Sequence, residues 1–172
     1  LHAAMDHPEW AQVDSNGLLG YEGCYREVCL NTPYLSDLVL PQVEEITGEY
    51  DIDGLWLDIV GVGPKKCFCD SCRKLYEDQY GEPLTDVSKH LDEFRLSTLQ
   101  EGVQRIRSLA HDGRKGLPIV ANGAGTVSDF GAAATLSRRR GDGLVDFSAI
   151  EACPGYGNYY YVGFQARYAR NL

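Results

Sequence analysis

Asp51-Ile52-Asp53-Gly54-Leu55-Trp56-Leu57-Asp58-Ile59 is the stretch from which the rest of the chain can be read. Leu55, Trp56, Leu57, Ile59 and Val60 make an apolar run without polar alternation, as in a parallel strand covered on both faces, and Gly54 marks its start. Asp58 interrupts the run near its end, where a carboxylate is costly to bury without partners. The C-terminal ends of parallel strands are where reactive side chains project from such sheets, so Asp58 is the leading functional candidate. The competing reading is an Asp that caps the following loop.

Upstream, Val28-Cys29-Leu30-Asn31-Thr32-Pro33-Tyr34 offers Thr32 as a helix N-cap and Pro33 as the first helical residue. Leu35, Leu38, Val39, Val43 and Ile46 follow at helical spacing, with a kink or restart expected at Pro41 and an end at Gly48. Downstream, Asp70 is placed to cap a short helix that carries Arg73 to Tyr80 and stops at Gly81. A longer helix is predicted from the apolar stripe Val87, Leu91, Phe94, Leu99, Val103, Ile106 and Leu109, with His90 and His111 on its solvated surface or end.

Leu117 to Ala121 reads as a second short strand ending in Asn122-Gly123-Ala124-Gly125, and Leu144 to Ile150 as a third that delivers Glu151 before Cys153-Pro154-Gly155. Between them an Ala-rich piece from Gly131 to Arg140 suggests a small helix, and Tyr159 to Arg170 looks helical and amphipathic. Strands alternating with helices imply βαβ units and a parallel sheet. A complete (β/α)8 barrel needs about 250 residues. The expectation is therefore an α/β fold: residues 1–172 as a fragment of a single TIM-barrel domain, holding its central strands and helices and lacking its first and last ones.

Sixteen basic against 25 acidic residues give a net charge of −9, which argues against non-specific binding to nucleic acid or an anionic membrane. No apolar run is long enough to span a bilayer and the start does not resemble a signal peptide, so a cytoplasmic location is expected. The chain opens Leu1-His2-Ala3 rather than with Met, and an absent upstream portion is expected too. Three of the six cysteines sit in the block Cys67-Phe68-Cys69-Asp70-Ser71-Cys72, a metal-ligand spacing more than a crosslink pattern, which favours a reducing compartment.

Taken in order, His7-Pro8-Glu9-Trp10, Cys29-Leu30-Asn31-Thr32-Pro33-Tyr34, Asp53-Gly54-Leu55-Trp56-Leu57-Asp58 with Cys67, Cys69 and Cys72, Ile150-Glu151-Ala152-Cys153-Pro154 and Ala166-Arg167-Tyr168-Ala169-Arg170 resemble the hypothetical glycosyl hydrolase 6 family, which is similar to the family 151 α-L-fucosidases. The resemblance implies a TIM-barrel domain of a larger bacterial-type enzyme acting on glycosidic bonds. In the related family 29 fucosidases a Trp-x-Asp at the end of the fourth strand supplies the nucleophile, and Trp56-Leu57-Asp58 has that form. The cysteine block looks like the cluster of family 42 β-galactosidases, where an upstream cysteine completes a zinc site.

Glycoside hydrolysis needs two carboxyl groups flanking the scissile bond. Asp58 is expected as the nucleophile of a retaining mechanism and Glu151 as the acid/base or a substrate-binding carboxylate. His7, Trp10, Trp56, Asn122 and Tyr156 are candidates for the sugar-binding wall, through hydroxyl hydrogen bonds and ring stacking. Four thiolates around a tetrahedral Zn²⁺ leave no open position, so the metal would be structural. Cys29, Cys67, Cys69 and Cys72 are the preferred ligands, Cys29 because it lies in the matching motif, with Cys24 as the alternative fourth. No organic cofactor is expected. The expected partners are a carbohydrate substrate, the rest of the barrel with any further domains of the polypeptide, and a second copy in a homo-oligomer. The rival reading is a catalytically inert carbohydrate-binding or scaffold barrel, since fold does not fix function.

Overall fold

The computed structural model describes residues 2–19, 21–22, 25–58, 67–124 and 144–150. The chain divides into two compact units, one made of 1–45 and 62–106 and the other of 46–61 and 107–172. The expected Gly131 to Arg140 and Tyr159 to Arg170 helices lie outside the described residues.

The first unit opens with α1 (His2–Asp6), a 3₁₀ turn (Pro8–Trp10) and a two-stranded antiparallel ribbon of β1 (Tyr21–Glu22) and β2 (Tyr25–Arg26). Thr32 does not cap a helix. Its hydroxyl donates instead to the Cys29 carbonyl at 2.6 Å, so it cannot turn toward the free N–H groups of the next turn, and Pro33 takes the N-cap place. A π-helical segment (Tyr34–Val39) then runs directly into α2 (Leu40–Glu49). The expected restart at Pro41 takes this form: proline brings no N–H, and widening the preceding turn is one way a helix accommodates the lost bond. Leu35 and Val43 are buried as expected; in the last turn of α2, which belongs to the second unit, Ile46 is 38% exposed and Thr47 is buried. Thr47 is one full turn on from Val43 and so shares its face.

α3 (Asp70–Tyr80) is capped by Cys69, with Asp70 as the first helical residue, where its charge favours the helix N-terminus. It ends at Gly81 in the left-handed region, φ 71°, as the sequence implied. α4 (Leu91–Gly113) starts later than its apolar stripe suggests. Val87 is 86% exposed and lies in the turn that precedes the helix, where Ser88 bonds back to Thr85 and Pro83. From Leu91 onward the stripe is buried at Phe94, Leu99, Val103 and Ile106. The core of the first unit gathers Phe68, Tyr76, Leu84, Leu91 and Phe94 around Cys29, Cys69 and Cys72.

The second unit is built on a parallel sheet of three strands in the order β3 (Leu55–Leu57), β4 (Ile119–Ala124), β5 (Phe147–Ile150). Leu55 pairs with Ile119, Leu57 with Ala121 and Ala121 with Ser148. The sheet is open among the described residues, and the arrangement is α/β, that of a partial TIM barrel. β3 is not covered on both faces. Leu55 and Leu57 are half-buried while Trp56, on the opposite face, is 59% exposed, and among the described residues β3 lies at one edge of the sheet. Ile119, Ala121, Leu117, Val145 and Ala110 supply buried apolar side chains to this unit.

Candidate functional site

Cys29, Cys67, Cys69 and Cys72 come together, their sulfur atoms all within 4.8 Å of one another. Each is positioned by its own local structure. Cys29 is held through its backbone: its N–H donates to the Trp10 carbonyl and its carbonyl accepts from Thr32. The Cys67-Phe68-Cys69 loop is pinned at Phe68, whose N–H donates to the Val13 carbonyl and whose carbonyl accepts from Arg73 Nε at 2.8 Å. Cys69 and Cys72 ride on the N-cap and first turn of α3, where the helix dipole favours negative charge. Arg73 also lies over the Phe68 ring and donates to the Leu84 carbonyl, so one side chain braces both sides of the loop.

The donor set fits a tetrahedral cation. Zinc bound to four thiolates at about 2.3 Å puts the sulfurs about 3.8 Å apart. Cys29 Sγ lies 3.4 Å from Cys72 Sγ and 3.7 Å from Cys69 Sγ. Hydrogen bonding to Cys67 holds the Cys29 proton and pushes its pKa up, while the same bond pulls the Cys67 pKa down. Binding a cation would release the thiol protons, since thiolates are the ligands. Cys24, the alternative fourth ligand, lies outside the described residues.

In the second unit, β3, β4 and β5 are parallel and end on the same edge of their sheet. Asp58 follows β3 at once and is exposed; Trp56 Nε1 donates to its Oδ1 at 3.5 Å. Asn122 stands one register step past Ala121, as Asp58 stands one past Leu57, and the pairing with β5 slips between Asn122 and Ala124. At the opposite, N-terminal end of the strands Gly54 lets β3 approach β4, since a Cβ there would lie 3.0 Å from the Pro118 carbonyl oxygen. Glu151 is the next residue in sequence after β5; it, Cys153 and Tyr156 lie outside the described residues.

His7 and Trp10 belong to the first unit. Their rings stack at 3.8 Å, Trp10 meets Tyr34 edge-on, and Trp10 is buried to 6% exposure. His7 is about half exposed, and Glu9 accepts from its Nδ1 at 2.9 Å. His90 stacks on Tyr80 and pairs with Glu93 at the start of α4, whereas His111 is half-buried and bonds the Leu117 carbonyl. Sequence reasoning missed Asn31, whose amide reaches both Cys72 Sγ and Thr98. Its signal was its place two residues after Cys29 in the matching motif.

No protein-family model matches the chain, and no curated protein matches its sequence. Solved structures do. α-L-Fucosidase isoenzyme 2 from Paenibacillus thiaminolyticus is 30% identical over 76% of this chain and 20% of its own, with a TM-score of 0.59. A β-galactosidase from Bacillus circulans sp. alkalophilus aligns with 99% of this chain and 30% of its own at 18% identity and TM-score 0.63. The β-galactosidase of the Antarctic haloarchaeon Halorubrum lacusprofundi aligns with 87% of this chain and 28% of its own, at 16% identity and TM-score 0.64. The two galactosidases speak to the fold alone. The chain is distantly related to glycoside-hydrolase-like TIM-barrel enzymes, and it spans between a fifth and a third of the length of the structures it matches.

Proposed function

We propose that the chain is part of a glycoside hydrolase barrel of the α-L-fucosidase-like kind, close to the family 151 enzymes, and that Asp58 is its nucleophile. The observation that carries this reading is the position of Asp58: exposed, directly after β3, on the sheet edge where β4 and β5 also end. That is the edge at which barrel enzymes assemble their chemistry. Trp56 Nε1 donates toward one carboxylate oxygen at 3.5 Å.

In the proposed retaining reaction, an Asp58 oxygen attacks the anomeric carbon as the glycosidic bond breaks, and a second carboxyl group gives its proton to the departing oxygen. Water then cleaves the glycosyl ester, deprotonated by that same second group. Glu151, immediately after β5 in sequence, is the residue proposed for this role, and retention requires the two carboxyl groups to stand about 5–5.5 Å apart. Asn122 is proposed to hydrogen-bond a sugar hydroxyl, and Trp56, with Tyr156, to form a sugar-facing wall. Cys29, Cys67, Cys69 and Cys72 would hold a Zn²⁺ whose contribution is structural, because four thiolates complete its tetrahedron.

The test is turnover by the intact gene product on a panel of aryl glycosides that includes an α-L-fucoside. Asp58→Asn is expected to lose essentially all hydrolysis while folding and sugar binding survive. A well-folded, zinc-loaded wild type that hydrolyses none of the glycosides, yet binds sugar equally well with and without the substitution, would establish the inert barrel instead.

A further inference from the structure

We propose that Asn31 is a positioning residue of the four-cysteine centre, its side-chain amide holding Cys72 Sγ in place for the cation and drawing off part of the charge on that sulfur. The inference rests on the metal reading given above and goes beyond the four ligands.

Asn31 Nδ2 lies 3.4 Å from Cys72 Sγ and 3.0 Å from Thr98 Oγ1. A primary amide nitrogen has two N–H groups, and here each has its own acceptor. The orientation is set by the sulfur: rotating the amide by half a turn would aim the lone pairs of Oδ1 at a thiolate. The three residues come from three separate elements. Asn31 sits in the turn after Cys29, Cys72 in the first turn of α3 and Thr98 on α4. One amide therefore fixes a ligand on α3 relative to the turn that carries Cys29, with α4 as the anchor.

Charge gives the reason for a donor at this point. Four thiolates around a dication leave a double negative charge, and Cys29, Cys69 and Cys72 are all buried. Such charge is expensive in an apolar surround unless hydrogen-bond donors face it. The α3 N-terminus supplies one favourable field, and it is directed along the helix axis. Asn31 supplies a local N–H to the sulfur itself. Outer groups of this kind commonly change metal affinity by about 10–100-fold when removed.

The experiment uses the full gene product with Co²⁺ and Zn²⁺ as probes. Zn²⁺ affinity is read by competition with a chromophoric chelator, and the sulfur environment by the thiolate-to-Co²⁺ charge-transfer band. Asn31→Leu keeps the approximate side-chain size without a donor. It is expected to weaken Zn²⁺ binding by about 10–100-fold and to move the band to lower energy, because a sulfur relieved of its N–H gives up electron density more readily. Thr98→Val, which frees the amide to rotate, is expected to move the band in the same direction by less. If Asn31→Leu does not fold, Asn31→Asp replaces it, with the same expected directions. An unmoved band overturns the proposal whether or not affinity falls, since a packing role alone would leave the sulfur's electronic state as it was. A wild type that takes up neither cation overturns the metal reading itself, and Asn31's role with it.

Discussion

Asp146 closes a ring with Ile119 that ordinary strand pairing would not supply. Its N–H donates to the Ile119 carbonyl at 2.8 Å, while its Oδ2 accepts from the Ile119 N–H at 2.9 Å. Arg107 donates to the same oxygen and to the Leu144 carbonyl. The Ile119 N–H, and after it the Arg107 charge, hold the Asp146 carboxyl below its ordinary value of 3.8. The sign follows from proton counting: the folded chain binds this proton less readily than the unfolded one. Its stabilisation is therefore complete above pH 3.8 and disappears as pH falls through the lowered value. Asp146→Ala is expected to cost about 1–3 kcal/mol, to speed hydrogen exchange at the Ile119 amide, and to flatten the acid limb of the stability curve. Asp146→Asn keeps an acceptor and should cost less. An Ile119 amide that exchanges at the wild-type rate in Asp146→Ala would remove this account. None of it was legible beforehand, because the partners stand 27 and 39 positions away in sequence.

Elements were legible where local chemistry decided them. α3 with its Gly81 stop, the interior of α4, the β4 core and the block of Cys67, Cys69 and Cys72 follow from periodicity, turn residues or ligand spacing, while Cys29 was preferred over Cys24 on the family resemblance. Failures came where a specific contact overruled a general preference. Thr32 is a good cap in isolation, but the Cys29 carbonyl claims its hydroxyl. Val87 fits the α4 stripe by spacing, yet Ser88 closes a turn there before the helix starts. The β3 run reads as two-sided by its apolar composition, yet Trp56 is 59% exposed. Gly54 was legible as the start of β3, but not the reason: Leu55 N–H donates to the Pro118 carbonyl at 2.9 Å, and a Cβ on Gly54 would press on that oxygen at 3.0 Å. Gly54→Ala is therefore expected to cost about 1–3 kcal/mol, read as a lowered melting temperature. Gly48, inside α2 with open space where a Cβ would go, provides the contrast. Gly48→Ala should stabilise by up to about 1 kcal/mol. If both substitutions shift the melting temperature in the same direction, the close approach at Pro118 is not what keeps Gly54 a glycine.

On the scale of the whole molecule, the two units close contacts of different reach. The Cys29 and Cys72 sulfurs meet across 43 positions, whereas Arg114 bonds Asp51 across 63. Longer closures cost more chain entropy and slow pairing, most of all in parallel sheets. With Zn²⁺ present, refolding followed by pulsed hydrogen exchange is expected to protect Tyr76 and Phe94 before Ile119 and Ala121. A chelator added at the outset should delay the first pair. Simultaneous protection of all four amides, with or without chelator, would refute this order. In the cell the same geometry acts through time. A growing polypeptide has its last cysteine of the quartet as soon as Cys72 has been made, while Ile119 and Asp146 are still untranslated. If the quartet takes up its cation as proposed, that closure becomes available before the strands of the second unit have been completed.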